Sequence, residues 1–219
     1  MPYGGVIFDL DGTLVDTLTD IGEAINALLV QDGYSEHTMD VYYELVGQCH
    51  QIKDFISRAF GFFEKASSDR QDRLLQRFRS AHEKNWQNKS RPYPGVVDLL
   101  YHLHQNGVKT AVLSNKLHVF AVRTVSHFLP EFEFVRVQGA RPDRPMKPDP
   151  HFAMEIAADM GVAPNQIAFL GDSQDDMRTA CNAGMTAVGA AWGYTAERDL
   201  WESGAQYVIH EPSEILRIE

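Results

Sequence analysis

The 219-residue chain has little cysteine, no long apolar run and none of the common nucleotide-binding signatures. Its two cysteines, Cys49 and Cys181, make no disulfide framework, which fits a reducing, cytoplasmic setting. Cys181 lies in a helical Ala-Cys-Asn-Ala stretch and is expected to fill core. No apolar segment nears the roughly 20 residues that cross a bilayer as a helix, so no membrane partner is expected. The leading Met-Pro-Tyr-Gly-Gly has neither a basic region nor a signal-like apolar one. Walker A and Gly-x-Gly-x-x-Gly patterns are both missing, which removes the commonest nucleotide-binding readings. Positive charge is the scarcer sign, with 20 Lys and Arg against 30 Asp and Glu. The resulting net charge of −10 disfavours nucleic acid, whose binding depends on neutralising phosphates. A small phosphate substrate is still admissible, because it needs only a local positive focus.

What remains is an ordinary globular composition, 44% hydrophobic and 23% charged, long enough for one large domain or two modest ones. No internal repeat or low-complexity segment breaks it. Residues 6–14, Val-Ile-Phe-Asp-Leu-Asp-Gly-Thr-Leu, read as a buried strand running into an Asp-Gly turn. Leu18, Ile21, Ile25, Leu28 and Leu29 share one helical stripe, predicting a helix over 17–31 that Asp32-Gly33 ends. Residues 41–46, 52–60 and 70–86 also read as helices, with no convincing strand from Gly33 to about residue 88. Arg91-Pro-Tyr-Pro-Gly then marks a rigid re-entry into a different pattern. Helices are predicted over 96–105, 117–128, 150–160 and 173–183. Strands are predicted over 108–113, 133–137, 166–170, 185–189 and 207–210. This alternation predicts an α/β fold, a doubly wound, mostly parallel sheet with helices on both faces. Residues 1–15 and 89–219 would form that Rossmann-like core, with 16–88 an inserted all-helical unit.

Asp9 and Asp11 stand two apart at the exit of the first strand, where the side-chain period of two lets both lean to one side. Like charges so close repel unless a cation or shared proton sits between them, so a divalent metal beside a nucleophilic aspartate is the economical explanation. Ser114-Asn115 follows a strand and precedes a helix, as a plain N-cap would. Lys147 is held among prolines in Arg-Pro-Asp-Arg-Pro-Met-Lys-Pro-Asp-Pro, an unusual rigidity for a surface lysine. Gly171-Asp172-Ser-Gln-Asp-Asp176 follows a hydrophobic strand, and Asp172 and Asp176 are helical neighbours. Asp175 fits the acid-rich first turn that a helix dipole favours. These candidates fall at the carboxyl ends of strands, where open α/β sheets bind ligands.

Together the four segments resemble motifs I to IV of the haloacid dehalogenase superfamily, the first being Asp-x-Asp-Gly-Thr-(Leu/Val). The resemblance implies a Mg²⁺-dependent phosphatase acting through a phospho-aspartate, with a helical cap inserted after motif I. By it Asp9 is nucleophile and metal ligand, and Asp11 is acid/base and gives the ion its main-chain carbonyl. It makes Asp172 the third protein ligand to the ion, with Asp176 supporting a coordinated water. Thr13, Ser114, Asn115 and Lys147 are implied around the phosphoryl group, Ser114 and Lys147 in catalytic roles. Arg91-Pro-Tyr-Pro-Gly-Val, Leu113-Ser-Asn-Lys, Lys147-Pro-Asp-Pro, Gly171-Asp-Ser and Trp192-Gly-Tyr look most like the phosphoglycolate phosphatase group. That group implies 2-phosphoglycolate as the small-molecule substrate.

Other members stay in play. Asp11 argues against haloacid dehalogenation, whose enzymes lack the second motif I aspartate. Phosphonatases need a cap lysine; this chain has His50 near that place and Lys53 a turn further on. A β-phosphoglucomutase-like mutase, or a phosphatase for sugar phosphates, nucleotides or pyrophosphate, shares the core motifs and differs in what the cap admits. A non-enzymatic phosphate sensor is opposed by the presence of Asp9, Asp11, Ser114, Lys147 and Asp172. Within the cap, residues 47–51 and His50 in particular are candidates for touching the substrate. Trp86, Trp192 and Trp201 are expected to pack, and nothing specifies an oligomeric state.

Overall fold

The computed structural model describes residues 3–49, 51–62 and 67–218. In chain order its elements begin β1 (Gly5–Phe8), β2 (Val15–Asp16), α1 (Leu18–Gln31), α2 (Met39–Val46), α3 (Ile52–Ala59), α4 (Ser68–His82) and β3 (Arg91–Pro92). They continue α5 (Val96–Gln105), β4 (Lys109–Leu117), α6 (His118–Phe128), β5 (Val137–Ala140) and α7 (His151–Met160). The last are β6 (Ile167–Gly171), α8 (Gln174–Ala183), β7 (Thr186–Ala190), α9 (Glu197–Glu202) and β8 (Tyr207–Ile209). Short 3₁₀ turns occupy Pro164–Gln166 and Pro212–Arg217.

The chain divides into two compact units, Met1–Val15 with Pro92–Glu219, and Asp16–Arg91. In the first unit six strands form one parallel sheet in the order β5-β4-β1-β6-β7-β8. The apolar runs explain why this sheet is covered on both faces. Val6 and Phe8 of β1 and Ala168 and Leu170 of β6 enter a core that includes Leu99, Leu100, Leu103 and Val125. Ile7, Ile167 and Phe169 point the other way and pack with Ile156, Met160, Met177 and Ala180 of α7 and α8. Period-two alternation with no polar face is what a parallel sheet between helical layers requires.

Strand order places β1 at the centre, and the chain leaves it first toward β4 and β5, later toward β6, β7 and β8. That reversal is a topological switch point, where α/β sheets open a crevice beyond the strand ends. Register is tight: Phe8 pairs with Val112 on one side and Leu170 on the other. Residues just past these partners therefore emerge together.

The second unit is all helical apart from its ends, α1 through α4. Ile25, Leu28 and Leu29 of α1, Tyr42 of α2, Phe55 and Ile56 of α3 and Leu74 and Phe78 of α4 are among its buried side chains. Tyr42 is wholly buried, and its hydroxyl donates to Asn26 Oδ1 at 2.6 Å, so the ring's polar tip has a partner. Asp20, also wholly buried, accepts from the main-chain N–H of Lys89 and Ser90 and from Ser90 Oγ. This holds the end of the unit to its first helix.

Several sequence expectations shift. The strand expected over 133–137 is found at Val137–Ala140, because Phe132 and Phe134 pack on the core from irregular backbone instead. Helix α9 was not foreseen, since its six residues carry no apolar stripe beyond Leu200. Cys181 is exposed, its Sγ set against Gly204 O at 3.4 Å, not core filling. Trp201 is likewise exposed and donates to Glu197 Oε1, whereas Trp86 is buried as expected.

Candidate active site

Three carboxylates converge where β1 and β6 end. Phe8 hands the chain to Asp9, whose N–H still donates to Leu170 O at 2.9 Å, so the residue is fixed as part of the sheet. Gly171, the last residue of β6, hands the chain to Asp172. Asp176 comes from the first turn of α8, which begins with a reciprocal cap. Ser173 Oγ accepts from Asp176 N at 3.2 Å, and Asp176 Oδ2 accepts from Ser173 N at 2.9 Å. This is the capping box that Ser-x-x-Asp predicts. Asp9, Asp172 and Asp176 each place an oxygen within 4.8 Å of the others, and all three are buried.

Lys147 supplies the opposing charge. Its Nζ lies 2.8 Å from Asp9 Oδ1 and 2.6 Å from Asp176 Oδ1, with the side chain only 3% exposed. Asn115 sets this lysine's backbone: Asn115 Oδ1 accepts from Lys147 N at 3.0 Å and Asn115 Nδ2 donates to Lys147 O at 3.2 Å. Asn115, expected at the substrate, thus pins the lysine loop with both ends of its amide. The prolines around Lys147 gave the rigidity of that loop; its anchor could not be read from them.

Asp172 is held from several sides. Thr13 Oγ1 donates to Oδ1 at 2.8 Å and Tyr194 N donates to Oδ2 at 2.9 Å. Thr13, expected at the substrate, is wholly buried and its hydroxyl donates to Asp172. A Cβ on Gly12, which sits at φ +88°, would come within 2.2 Å of Asp172 Oδ2, and one on Gly193 within 2.1 Å of Asp172 Cβ. Only glycine leaves room for the carboxylate at either place. Trp192 does more than pack: its Nε1 donates to Thr13 O at 3.1 Å and ties the loop after β1. Gly193 and Trp192 were missed as site residues because they lie about twenty positions beyond Asp172, in a turn whose link to it is purely tertiary.

Asp11 stands apart from the three clustered carboxylates and is bound by Lys116, whose Nζ reaches Oδ1 at 2.8 Å and Oδ2 at 3.1 Å. Lys116 had drawn no role from the sequence. Ser114 is buried near the end of β4, and its Oγ accepts from Lys116 N at 3.2 Å. The plain N-cap reading of Ser114 is overturned: β4 continues to Leu117 after a register shift, and α6 starts only at His118. A helix N-terminus therefore does not begin at Ser114. Asp175 sits in the first turn of α8, as its dipole favours, and is buried. His50 lies outside the described residues. Lys53 is paired with Asp72 at 2.7 Å.

The electrostatics follow from this crowding. Burial, and then Asp176, push the Asp9 carboxyl up to about 7 against the pull of Lys147. Burial, and then Asp9 and Asp176, push Asp172 well above the usual carboxylate range, against its hydrogen bonds from Tyr194 and Thr13. Burial would lower the Lys147 ammonium, but Asp176 and Asp9 outweigh it and hold the pKa above its ordinary value. Three clustered, buried carboxylates, two of them on one ammonium, leave surplus negative charge that a cation relieves. Asp9 Oδ1 is buried and, among the described residues, is met only by the Lys147 ammonium at 2.8 Å, so it keeps lone pairs for another partner. An all-oxygen donor set of this kind fits a hard divalent cation.

The fold and the site together define a class, a Rossmann-like α/β protein with clustered aspartates at the carboxyl ends of a parallel sheet's strands. Residues 6–190 match the model of the haloacid dehalogenase-like hydrolases, and the chain belongs to that family. It is 30% identical over 216 residues to a phosphoglycolate phosphatase of Mannheimia succiniciproducens, with 96% of each chain covered. A phosphoglycolate phosphatase of Agrobacterium fabrum is 32% identical over 190 residues, covering 86% of this chain and 81% of that one. Among solved structures, a predicted phosphoglycolate phosphatase of Haemophilus somnus 129PT superposes with a TM-score of 0.85 at 26% identity, covering 99% and 98% of the two chains. The enzyme class is thus a phosphatase of this family. No helix among the described residues is long and apolar enough to cross a membrane.

Proposed function

We propose that this enzyme hydrolyses a small phosphate monoester, 2-phosphoglycolate first among them, using Mg²⁺ and a phospho-aspartate at Asp9. One observation carries the reading: Asp9 stands at the strand exit with Oδ1 buried and, among the described residues, met only by the Lys147 ammonium. Such a carboxylate can attack phosphorus and split one hard displacement into two easier ones. Lys147 neutralises Asp9 and the phosphoryl oxygens, and Ser114 Oγ donates to one of those oxygens. Asp11 gives a proton to the departing alkoxide, then takes one from the water that opens the acyl phosphate. General acid/base help of this kind commonly contributes about 10²–10⁴-fold.

Asp9, the Asp11 main-chain carbonyl and Asp172 are the residues that would hold Mg²⁺, with Asp176 in support. When bound, the ion supplies positive charge that screens Asp9 from the anionic substrate. Asn115 and Thr13 keep Lys147 and Asp172 in place. The helical unit serves as the cap that admits substrate, residues 47–51 included. The names of the Mannheimia and Agrobacterium relatives support the substrate, and the free Cys49 and Cys181 thiols fit a cytoplasmic setting.

The test is phosphate release from 2-phosphoglycolate, sugar phosphates and nucleotides, with Mg²⁺ and again with EDTA. The expected result is a kcat/KM for 2-phosphoglycolate above every other ester, lost on chelation and restored by Mg²⁺. A slow, flat profile across the panel overturns the substrate.

A further inference from the structure

Lys116 sits on the last stretch of β4 with its backbone closely fixed. Its N–H donates to Ser114 Oγ, and the next residue, Leu117, pairs with Ala140 of β5. A Cβ on Gly139 would lie 2.5 Å from Lys116 O, so β5 approaches here with no room for a side chain. The Lys116 side chain is 11% exposed, and its ammonium rests on both oxygens of Asp11, itself 22% exposed.

This placement matters because Asp11 is the group that faces the leaving oxygen, a point that rests on the function proposed above. A cation on Asp11 therefore stands beside the leaving group. Lys147 cannot play that part, because it is locked between Asp9 and Asp176. The leaving group of 2-phosphoglycolate is glycolate, whose carboxylate is two bonds from the ester oxygen. A lysine has three donors on a flexible stem, so one ammonium can keep a bond to Asp11 while giving another to a second carboxylate.

We infer that Lys116 is a specificity residue, its ammonium on Asp11 binding the carboxylate carried by the leaving group of the ester. Esters with a neutral alcohol as leaving group gain nothing from it. Selectivity for an anionic leaving group is thus built into the α/β unit, next to the acid/base.

The experiment compares 2-phosphoglycolate with 2-hydroxyethyl phosphate, which replaces the carboxylate by a neutral hydroxymethyl group. Their kcat/KM ratio is measured with Mg²⁺ for the wild type, Lys116→Met and Lys116→Arg. The wild type should prefer 2-phosphoglycolate. Lys116→Met should reduce the ratio about 10- to 100-fold, the worth of one charge-assisted hydrogen bond, and Lys116→Arg should recover part of it. Equal losses on both esters would mean that Lys116 serves Asp11 alone and would overturn the inference. A wild-type preference that survives intact in Lys116→Met overturns it too, while leaving the proposed function standing. A wild type indifferent to the carboxylate overturns the substrate reading and this inference with it. Lys116→Gln, which keeps a donor for Asp11, gives the same comparison should Lys116→Met fail to fold.

Discussion

The ammonium of Lys147 donates to Asp176 Oδ1 at 2.6 Å, and the side chains are 3% and 0% exposed. A buried pair of this kind is costly to break, because the surviving charge is left without a partner in a dry site. Lys147→Met should therefore destabilise the metal-free protein by about 3–5 kcal/mol. Adding Asp176→Asn should relieve part of that loss, since it removes one of the stranded carboxylates. The check is a double-mutant cycle by urea unfolding, with an expected coupling of about 0.5–3 kcal/mol. Strictly additive losses would show that the two side chains do not act as a pair.

A divalent cation should stabilise the folded protein. Binding to the native state alone contributes RT ln(1 + [L]/Kd), about 2.7 kcal/mol when the free ion is 100 times its Kd. Thermal melts across a Mg²⁺ series should rise for the wild type and stay flat for Asp172→Asn. A wild-type Tm that ignores Mg²⁺ would remove the ion from this account.

Gly193→Ala tests the support of Asp172. The added methyl would meet Asp172 Cβ at 2.1 Å, so either the turn or the carboxylate must move. Overpacking of this kind costs about 1–3 kcal/mol, and weaker Mg²⁺ stabilisation should accompany it. Unfolding curves with and without Mg²⁺ measure both; a variant matching the wild type in each would mean the turn gives way freely.

In the helical unit, Arg77 grips both oxygens of Asp32, at 2.8 and 2.7 Å, and holds its carboxyl below the usual range. Because the folded pKa is the lower one, the pair's contribution is present above the unfolded value of about 3.9 and is lost as pH falls through the folded value. The pair is largely solvated, so Arg77→Ala should cost only about 0.2–1 kcal/mol near neutrality, less in high salt. An NMR titration should show the Asp32 carboxyl returning upward in Arg77→Ala. An unchanged midpoint would show that the pair does not persist in solution.

Much of the site was legible because strand ends are legible. The apolar runs before Asp9 and Asp172 announce buried strands, and an acid just past such a run can only emerge at the sheet's edge. Lys147 could be singled out by the prolines around it. Asp172 and Asp176 could be read as helical neighbours, though not that Asp176 closes a capping box with Ser173 and also holds Lys147. The contributions of Asn115, Thr13, Lys116 and Trp192 depend on partners 32, 159, 105 and 179 positions away. No local pattern encodes such pairings. Helix α9 and the placement of β5 escaped for a related reason, as short elements take their form from the packing around them more than from their own periodicity.

The central claim is that Asp9 becomes covalently phosphorylated, and mass spectrometry of acid-quenched enzyme tests it most directly. Mixed with 2-phosphoglycolate and Mg²⁺ and quenched within the first turnovers, the wild type should carry one phosphoryl group on the peptide containing Asp9. Asp9→Asn, with an unchanged circular dichroism spectrum and melt, should carry none and release no phosphate. Phosphate release by folded Asp9→Asn, or a phosphoryl group mapped to another residue, would contradict the account.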